Sequence, residues 1–263
     1  MDQVTETQVP GQPQPIGTEV NLGEDLDYSV LQELAGGGHQ LEMQFADETL
    51  AVAQGERKII SYDSTQSPAQ NADNPIAPLF HLLRGAKIEF FIDADGTVEK
   101  VEGLNEIMNR AAAVGKSEMQ VVFGQIFNED TLKQYGAWGE LMPNRTVRIG
   151  DSWSIKKDVG STMGMLALDM KLTFKNWEQH GERQCAHIET TGDLSTKTIS
   201  TASGAAIEIK QGKITGELWY DPEMGMIVEE ISNQDLTLNI TVQAKTVTTK
   251  LNQKIRWVLD SVE

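Results

Sequence analysis

The chain has 263 residues, and 39 acidic against 22 basic side chains leave a formal charge of −17 at neutral pH. That balance argues against nucleic acid or anionic lipid headgroups as principal partners, because both attract basic surfaces. A single cysteine, Cys185, excludes an intrachain disulfide, and no run approaches the roughly 18 apolar residues of a membrane-spanning helix.

A globule of this length buries roughly 70–75% of its unfolded surface, so its core needs no metal or cofactor, and none is expected. The start, Met1-Asp2-Gln3-Val4-Thr5-Glu6, is polar and is not a signal peptide. On residues alone the protein is therefore either cytoplasmic or the remainder of a chain whose leader has been removed.

In chain order, residues 4–9 predict a strand that ends at Pro10, Pro13 and Pro15, since proline cannot donate to a ladder. From Val20 the even positions are apolar: Leu22, Leu26, Tyr28, Val30, Leu34. Glu24 breaks the series beside Gly23, where a bulge is expected. Gly36-Gly37-Gly38 predicts a hairpin tip, and residues 41–45, 49–52 and 58–62 predict three more strands. A polar loop over 63–75 and a short helix over 76–84 lead to a hairpin over 87–101 that turns at Asp93-Ala94-Asp95-Gly96.

Residues 104–142 carry the one long helical tract. Leu104, Ile107, Met108 and Ala111 recur at helical spacing, and beyond Gly115 so do Met119, Val122, Phe123 and Ile126. The strand pattern resumes at 145–149 and 152–155. Its clearest alternation is Leu166, Leu168, Met170, Leu172, Phe174. Strands over 185–190, 206–211, 214–220 and 226–231 follow, then Leu236, Leu238, Ile240, Val242, Ala244. Near 247–250 the apolar positions change to odd numbers (Leu251, Ile255, Trp257, Leu259), which predicts a bulge or sheet corner. The whole, 1–263, reads as a single α+β domain, mainly antiparallel β, with meanders over 1–62 and 145–259 on either side of the helices.

Ten strands at about 4.8 Å spacing and about 25 Å length present an apolar face of about 1,200 Å². Some 40 helical residues cover only about 600 Å² of it. The remainder exceeds what a soluble monomer ordinarily exposes. A strongly curved open sheet wrapped around two or three central helices, with a residual apolar cavity, accounts for the excess. A partner protein on the leftover face is the alternative.

Candidate chemistry is sparse. Asp93, Asp95 and Glu102 have part of a calcium-loop spacing, but Phe91 occupies the first ligand position, so an ordinary turn is expected. His39, His81, His180 and His187 show no metal-binding spacing, and Cys185 in Gln184-Cys185-Ala186-His187 reads as a spectator thiol on a strand. No nucleophile elbow or phosphate-cradling loop occurs.

At Pro143-Asn144-Arg145-Thr146-Val147-Arg148-Ile149-Gly150-Asp151-Ser152-Trp153 the chain resembles a bacterial family of exported proteins, the domain of unknown function numbered six-two-six-three. Tyr62-Asp63-Ser64, the 91–98 hairpin and Gly216-Glu217-Leu218-Trp219-Tyr220-Asp221 fit that family's layout. The resemblance implies a periplasmic, outer-membrane-associated or secreted protein and supplies no reaction. Its layout is in turn similar to LolA-like and LppX-like lipoprotein carriers, in which a half-barrel wraps helices and holds acyl chains. Asp151 is expected to bond local backbone amides, and Trp153 to plug the junction of helices and sheet.

These readings converge on a non-enzymatic envelope protein holding a lipid or other apolar small molecule. The expected lining is Leu166, Leu168, Met170, Leu172, Phe174, Leu236, Leu238 and Ile240 from the sheet, with Met119 and Phe123 from the helices. The alternative is an envelope interaction module without a small-molecule ligand. Nucleic acid and a transmembrane segment are not expected.

Overall fold

A computed structural model describes residues 1–8, 14–67, 74, 77–114, 124, 127–161, 164–198, 206–242 and 245–262. The expected strand residues Val9 and Ala244, and most of the tract between Gly115 and Ile126, lie outside them. The protein is mainly antiparallel β, with twelve strands and three short α-helices among the described residues. Its backbone divides into two compact units, Met1–Glu19 with Pro143–Glu263, and Val20–Met142.

The first unit holds β1 (Asp2–Gln8), β7 (Ser152–Ser161), β8 (Gly164–His180), β9 (Arg183–Thr198), β10 (Ala206–Asp221), β11 (Met226–Val242) and β12 (Lys245–Val258). They lie in the order β1-β12-β11-β10-β9-β8-β7. Each neighbouring pair is antiparallel. The sheet is open, with β7 at its edge. Alternation drives this arrangement: a strand puts successive side chains on opposite faces, so apolar residues two apart build one dry face.

Two expectations fail in this unit. Residues 145–149 are not a strand but an irregular approach to the Gly150 turn. The change of frame near 247–250 is no bulge, because β11 and β12 pair without a register shift from Val242↔Lys245 to Glu229↔Val258. The chain reversal alone moves the apolar set from even to odd numbers, and Leu236 faces Leu251. The turn before β7 is as expected: Asp151 Oδ2 accepts the backbone N–H of Arg148 at 2.9 Å. Gly150, at φ 93°, holds the left-handed conformation this turn requires.

The second unit contains most of β2 (Ile16–Glu33), with β3 (His39–Gln54), β4 (Arg57–Asp63), β5 (Lys87–Ile92) and β6 (Val98–Glu102). The strands expected at 41–45 and 49–52 are one, β3, whose first half pairs with β5 and whose second half pairs with β4. The helices are α1 (Ala77–Leu83), α2 (Leu104–Val114) and α3 (Glu129–Gly136), followed by a 3-10 turn at Ala137–Leu141. They pack with Leu41, Met43, Phe45, Ile88 and Phe90 into one core, to which α2 gives Ile107 and Ala111 and α3 gives Leu132. Asn128 caps α3, its Oδ1 accepting the N–H of Thr131 at 3.0 Å. The Asp93 turn is the ordinary one: Asp93 Oδ1 accepts from Asp95 N and Thr97 N, each at 2.9 Å.

No described helix is long and apolar enough to cross a membrane.

Candidate functional site

Register shows which side chains share the apolar face of the first unit. One row across β7–β12 is Trp153, Leu172, Thr190, Gly216, Ser232, Ile255. The next is Ile155, Met170, Gly192, Ile214, Gln234, Gln253. Beyond it Leu168 faces Leu194, and Gly212 faces Leu236, which faces Leu251.

The eight strand residues expected to line a site therefore all lie on this face. Leu166, Leu172, Phe174, Leu236 and Leu238 are buried, whereas Leu168, Met170 and Ile240 are half-buried. Met119 and Phe123 lie outside the described residues.

Three strand glycines share this face, and only Gly216 belongs to a motif legible in the sequence. A Cβ would stand 2.9 Å from Met170 Cγ at Gly192, 2.3 Å from the Leu194 carbonyl oxygen at Gly212, and 2.4 Å from the Ile231 carbonyl oxygen at Gly216. Glycine inside a strand marks a sharp bend or a close approach of backbones, and here neighbouring strands take the space. Glu230, between Leu218 and Trp257 in the register, interrupts the apolar series, and burial pushes its carboxyl above the ordinary range.

The opposite face of β8–β12 carries a polar cluster that sequence spacing did not reveal, because its members come from five strands. The Trp219 indole lies between two imidazoles, with ring centroids 4.5 Å from His180 and 5.1 Å from His187. Trp219 Nε1 donates to Glu178 Oε1. That bond, with a second from Asn176 Nδ2 at 2.9 Å, holds the Glu178 carboxyl below its ordinary range. Burial alone would raise Glu229, but hydrogen bonds from Arg256 Nε (2.7 Å) and His180 Nε2 (2.7 Å) outweigh it and keep it ionised.

His180 is thus within hydrogen-bond reach of a carboxylate, but Arg256 holds the other oxygen and Trp219 stacks on the ring. Burial raises the Cys185 thiol, away from the thiolate a nucleophile needs. Among the described residues no group of three or more His, Cys, Asp or Glu could hold a metal ion.

The second unit has its own buried polar seam. Tyr135 Oη donates to Glu24 Oε2 at 3.2 Å, and Tyr28 Oη donates to the Tyr135 carbonyl at 3.2 Å. Glu24 was expected at a bulge, but burial alternates without interruption from Ile16 to Tyr28, so it keeps the side of Leu22 and Leu26. Glu48 is 1% exposed.

The family model described as "Family of unknown function" (DUF6263) matches residues 37–227. The chain belongs to DUF6263. The match takes in the Gly150-Asp151-Ser152-Trp153 turn, the glycines of the apolar face and the histidine–tryptophan cluster. None of the curated proteins compared with this DUF6263 chain matches it. Among solved structures it is similar to one described as "lipid-protein interactions in lipovitellin", at 10% identity and a TM-score of 0.48. That similarity covers 100% of this chain and 25% of the other, so the chain spans a quarter of the length of the protein it matches.

Proposed function

We propose that this DUF6263 protein is a non-enzymatic protein of the bacterial cell envelope that holds a lipid or other apolar molecule against the apolar face of β7–β12. The observation that carries the reading is the half-buried row of that face. Leu168, Met170, Leu194, Ile240, Leu251 and Ile255 keep part of their surface in water beside neighbours that are fully buried. Isolated exposed aliphatics are normal, but a set drawn from four strands of one face, β8, β9, β11 and β12, is the property of a binding surface.

Gly192, Gly212 and Gly216 support it, because side chains there would collide with the neighbouring strands and oppose their curling around a guest. Ser232 and Glu230, with Thr190, Gln234 and Gln253 of the same rows, supply the polar groups that orient a ligand among the aliphatic side chains. The LolA-like and LppX-like layout belongs to this proposal, as does location in the periplasm, at the outer membrane or outside the cell. Non-enzymatic function is supported by the engaged state of His180 and Glu229 and by the raised Cys185 thiol.

Native mass spectrometry of protein purified from its bacterial source without detergent tests the reading. The expected result is a co-purifying apolar species that solvent extraction removes, with saturable rebinding of a fluorescent fatty-acid probe. Leu168→Glu and Ile240→Glu are expected to weaken probe binding at least about tenfold, because a charge costs more than that in an apolar site. Ile59→Glu, at an exposed position of β4, is expected to leave it unchanged. A chain that carries nothing and binds no probe saturably ends the proposal. Cell fractionation tests the compartment.

A further inference from the structure

We infer that Glu24 and Glu48 form a one-proton switch inside the second unit, in which loss of the proton loosens helix α3 from strand β2. Glu48 is 1% exposed, and neither of its carboxylate oxygens has a hydrogen-bond partner among the described residues. An ionised carboxylate in that condition loses its hydration and gains no donor in return, so the neutral acid is the favoured form.

The groups around it reinforce this. Its own strand contributes Asp47, and the neighbouring strand β2, where a Cβ at Gly23 would stand 2.6 Å from Thr49 Oγ1, contributes Glu24 and Asp25. From the end of β4, Ser64 Oγ receives the Glu48 backbone N–H at 2.9 Å and donates to Asp47 Oδ1 at 2.8 Å. Tyr62 and Asp63 stand on the same strand, and Tyr62 Oη lies 3.3 Å from His81 Nδ1 of α1. Arg84, just past α1, is the cation facing them, but it is half-exposed and already engaged, 3.3 Å from Asp47 and bonded to the Ser64 carbonyl. Burial first, and then the charge of Glu24, push the Glu48 carboxyl up to about 7. Burial also raises Glu24, partly offset by the Tyr135 hydrogen bond.

That hydrogen bond links the proton to a moving part. Helix α3 is tied to β2 by Tyr135 Oη on Glu24 and by Tyr28 Oη on the Tyr135 carbonyl. Of the pair, Glu24 holds a negative charge more readily than Glu48, because Tyr135 donates to it while no described group donates to Glu48. When Glu48 ionises, two negative charges share one poorly hydrated seam. The strain is relieved as Glu24 turns to water, which gives up its bond to Tyr135 and loosens the helix that buries Leu132. The same opening admits water to Glu48, so that both the burial and the neighbouring charge that raise its carboxyl are relieved, and it returns to its ordinary value and releases its proton. Opening is therefore favoured as pH rises from that ordinary value to the folded one, and gains nothing more above it.

Amide hydrogen exchange of residues 131–136, corrected for intrinsic rates, reads the switch between pH 5 and 8.5. Protection is expected to fall about tenfold per pH unit from about pH 5 to about pH 7 and then to level off. Glu48→Gln, neutral at every pH, is expected to abolish the slope and to leave protection at pH 8 at least about tenfold above that of the parent. Protection that ignores pH in the parent, or a slope that survives in Glu48→Gln, overturns the inference. A carbon-13 titration of the Glu48 carboxyl in the unaltered protein needs no variant. Its midpoint is expected near 7, and a midpoint below about 5, the ordinary glutamate range, overturns the inference equally. None of these readouts involves an apolar ligand, so they stand or fall apart from lipid binding.

Discussion

At the scale of single residues, the side chains that matter most are those whose surroundings leave no alternative. Gly216 has the Ile231 carbonyl oxygen where a Cβ would stand, and a backbone atom cannot rotate away as a side chain can. Gly216→Ala is expected to destabilise the fold by about 2 kcal/mol, the ordinary cost of overpacking. Gly17→Ala meets no atom within 4 Å and is expected to be neutral or slightly stabilising. Urea denaturation of the two variants side by side checks this, and equal midpoints would contradict the crowding seen at Gly216.

Asp221 makes a second residue-scale case. Burial alone would raise its carboxyl, but a hydrogen bond from Arg183 at 2.9 Å, with backbone N–H bonds from Glu223 and Met224, outweighs burial and depresses it. A depressed acid contributes stability above its unfolded pKa and loses it as pH falls through the folded one. Asp221→Asn is accordingly expected to cost on the order of 2–3 kcal/mol at neutral pH, since it leaves Arg183 without its partner. The difference from the parent is expected to shrink below about pH 4. Denaturation midpoints measured across that range decide it.

At the scale of elements, helix and strand differ in what sustains them. Helix α3 spans only 8 residues, too few to persist alone. It relies on the Asn128 cap, the buried Leu132 and the tyrosine bonds to β2. Asn128→Ala is expected to lower stability by about 1 kcal/mol and Asn128→Asp to preserve it, because either oxygen-bearing side chain accepts the Thr131 amide. Hydrogen exchange at the start of α3 reports the loss directly.

The long strands β8 to β11 have the opposite economy: each has a strand neighbour on both sides, so their stability is spread along the ladder. Their interruptions are local register shifts, between Met165 and Leu166 and between Phe174 and Asn176 on β8, and between Ile209 and Gln211 and between Trp219 and Tyr220 on β10. The shift between Phe174 and Asn176 is what lets Asn176 and Glu178 join His187 and Trp219 on one face.

At the scale of the whole molecule, charge and apolar surface pull toward different partners. The net charge of −17 opposes adsorption to anionic surfaces. The protein is expected to stay unbound to vesicles of anionic phospholipid at low salt, as sedimentation with the vesicles would show. A single apolar molecule taken from such a surface is a different matter, because it is held by burial rather than by charge. An occupant present at 100 times its dissociation constant stabilises its host by about 2.7 kcal/mol. Removal of a co-purified lipid is therefore expected to lower the thermal midpoint by several degrees, and re-addition to restore it. A midpoint that ignores extraction speaks against occupancy of the apolar face.

The sequence by itself determined the class of fold and the membership of the apolar face. Strand side chains alternate with a period of two, so Leu166 to Phe174 and Leu236 to Ile240 could be assigned to one side without coordinates. The turns at Asp93 and Asp151 were equally legible, because an aspartate beside glycine bonds its own neighbouring amides. Only the tertiary structure decided what depends on which strands become neighbours. It showed that the shift of apolar positions after Val242 is a chain reversal, that three distant glycines crowd one face, and that His180 and His187 enclose Trp219. It also placed Glu24, an exception to its own strand's pattern, beside a second carboxylate 24 residues away in sequence. Periodicity is a property of one segment, whereas a cluster of charges or a clash between backbones is a property of pairs, and pairs are made by register.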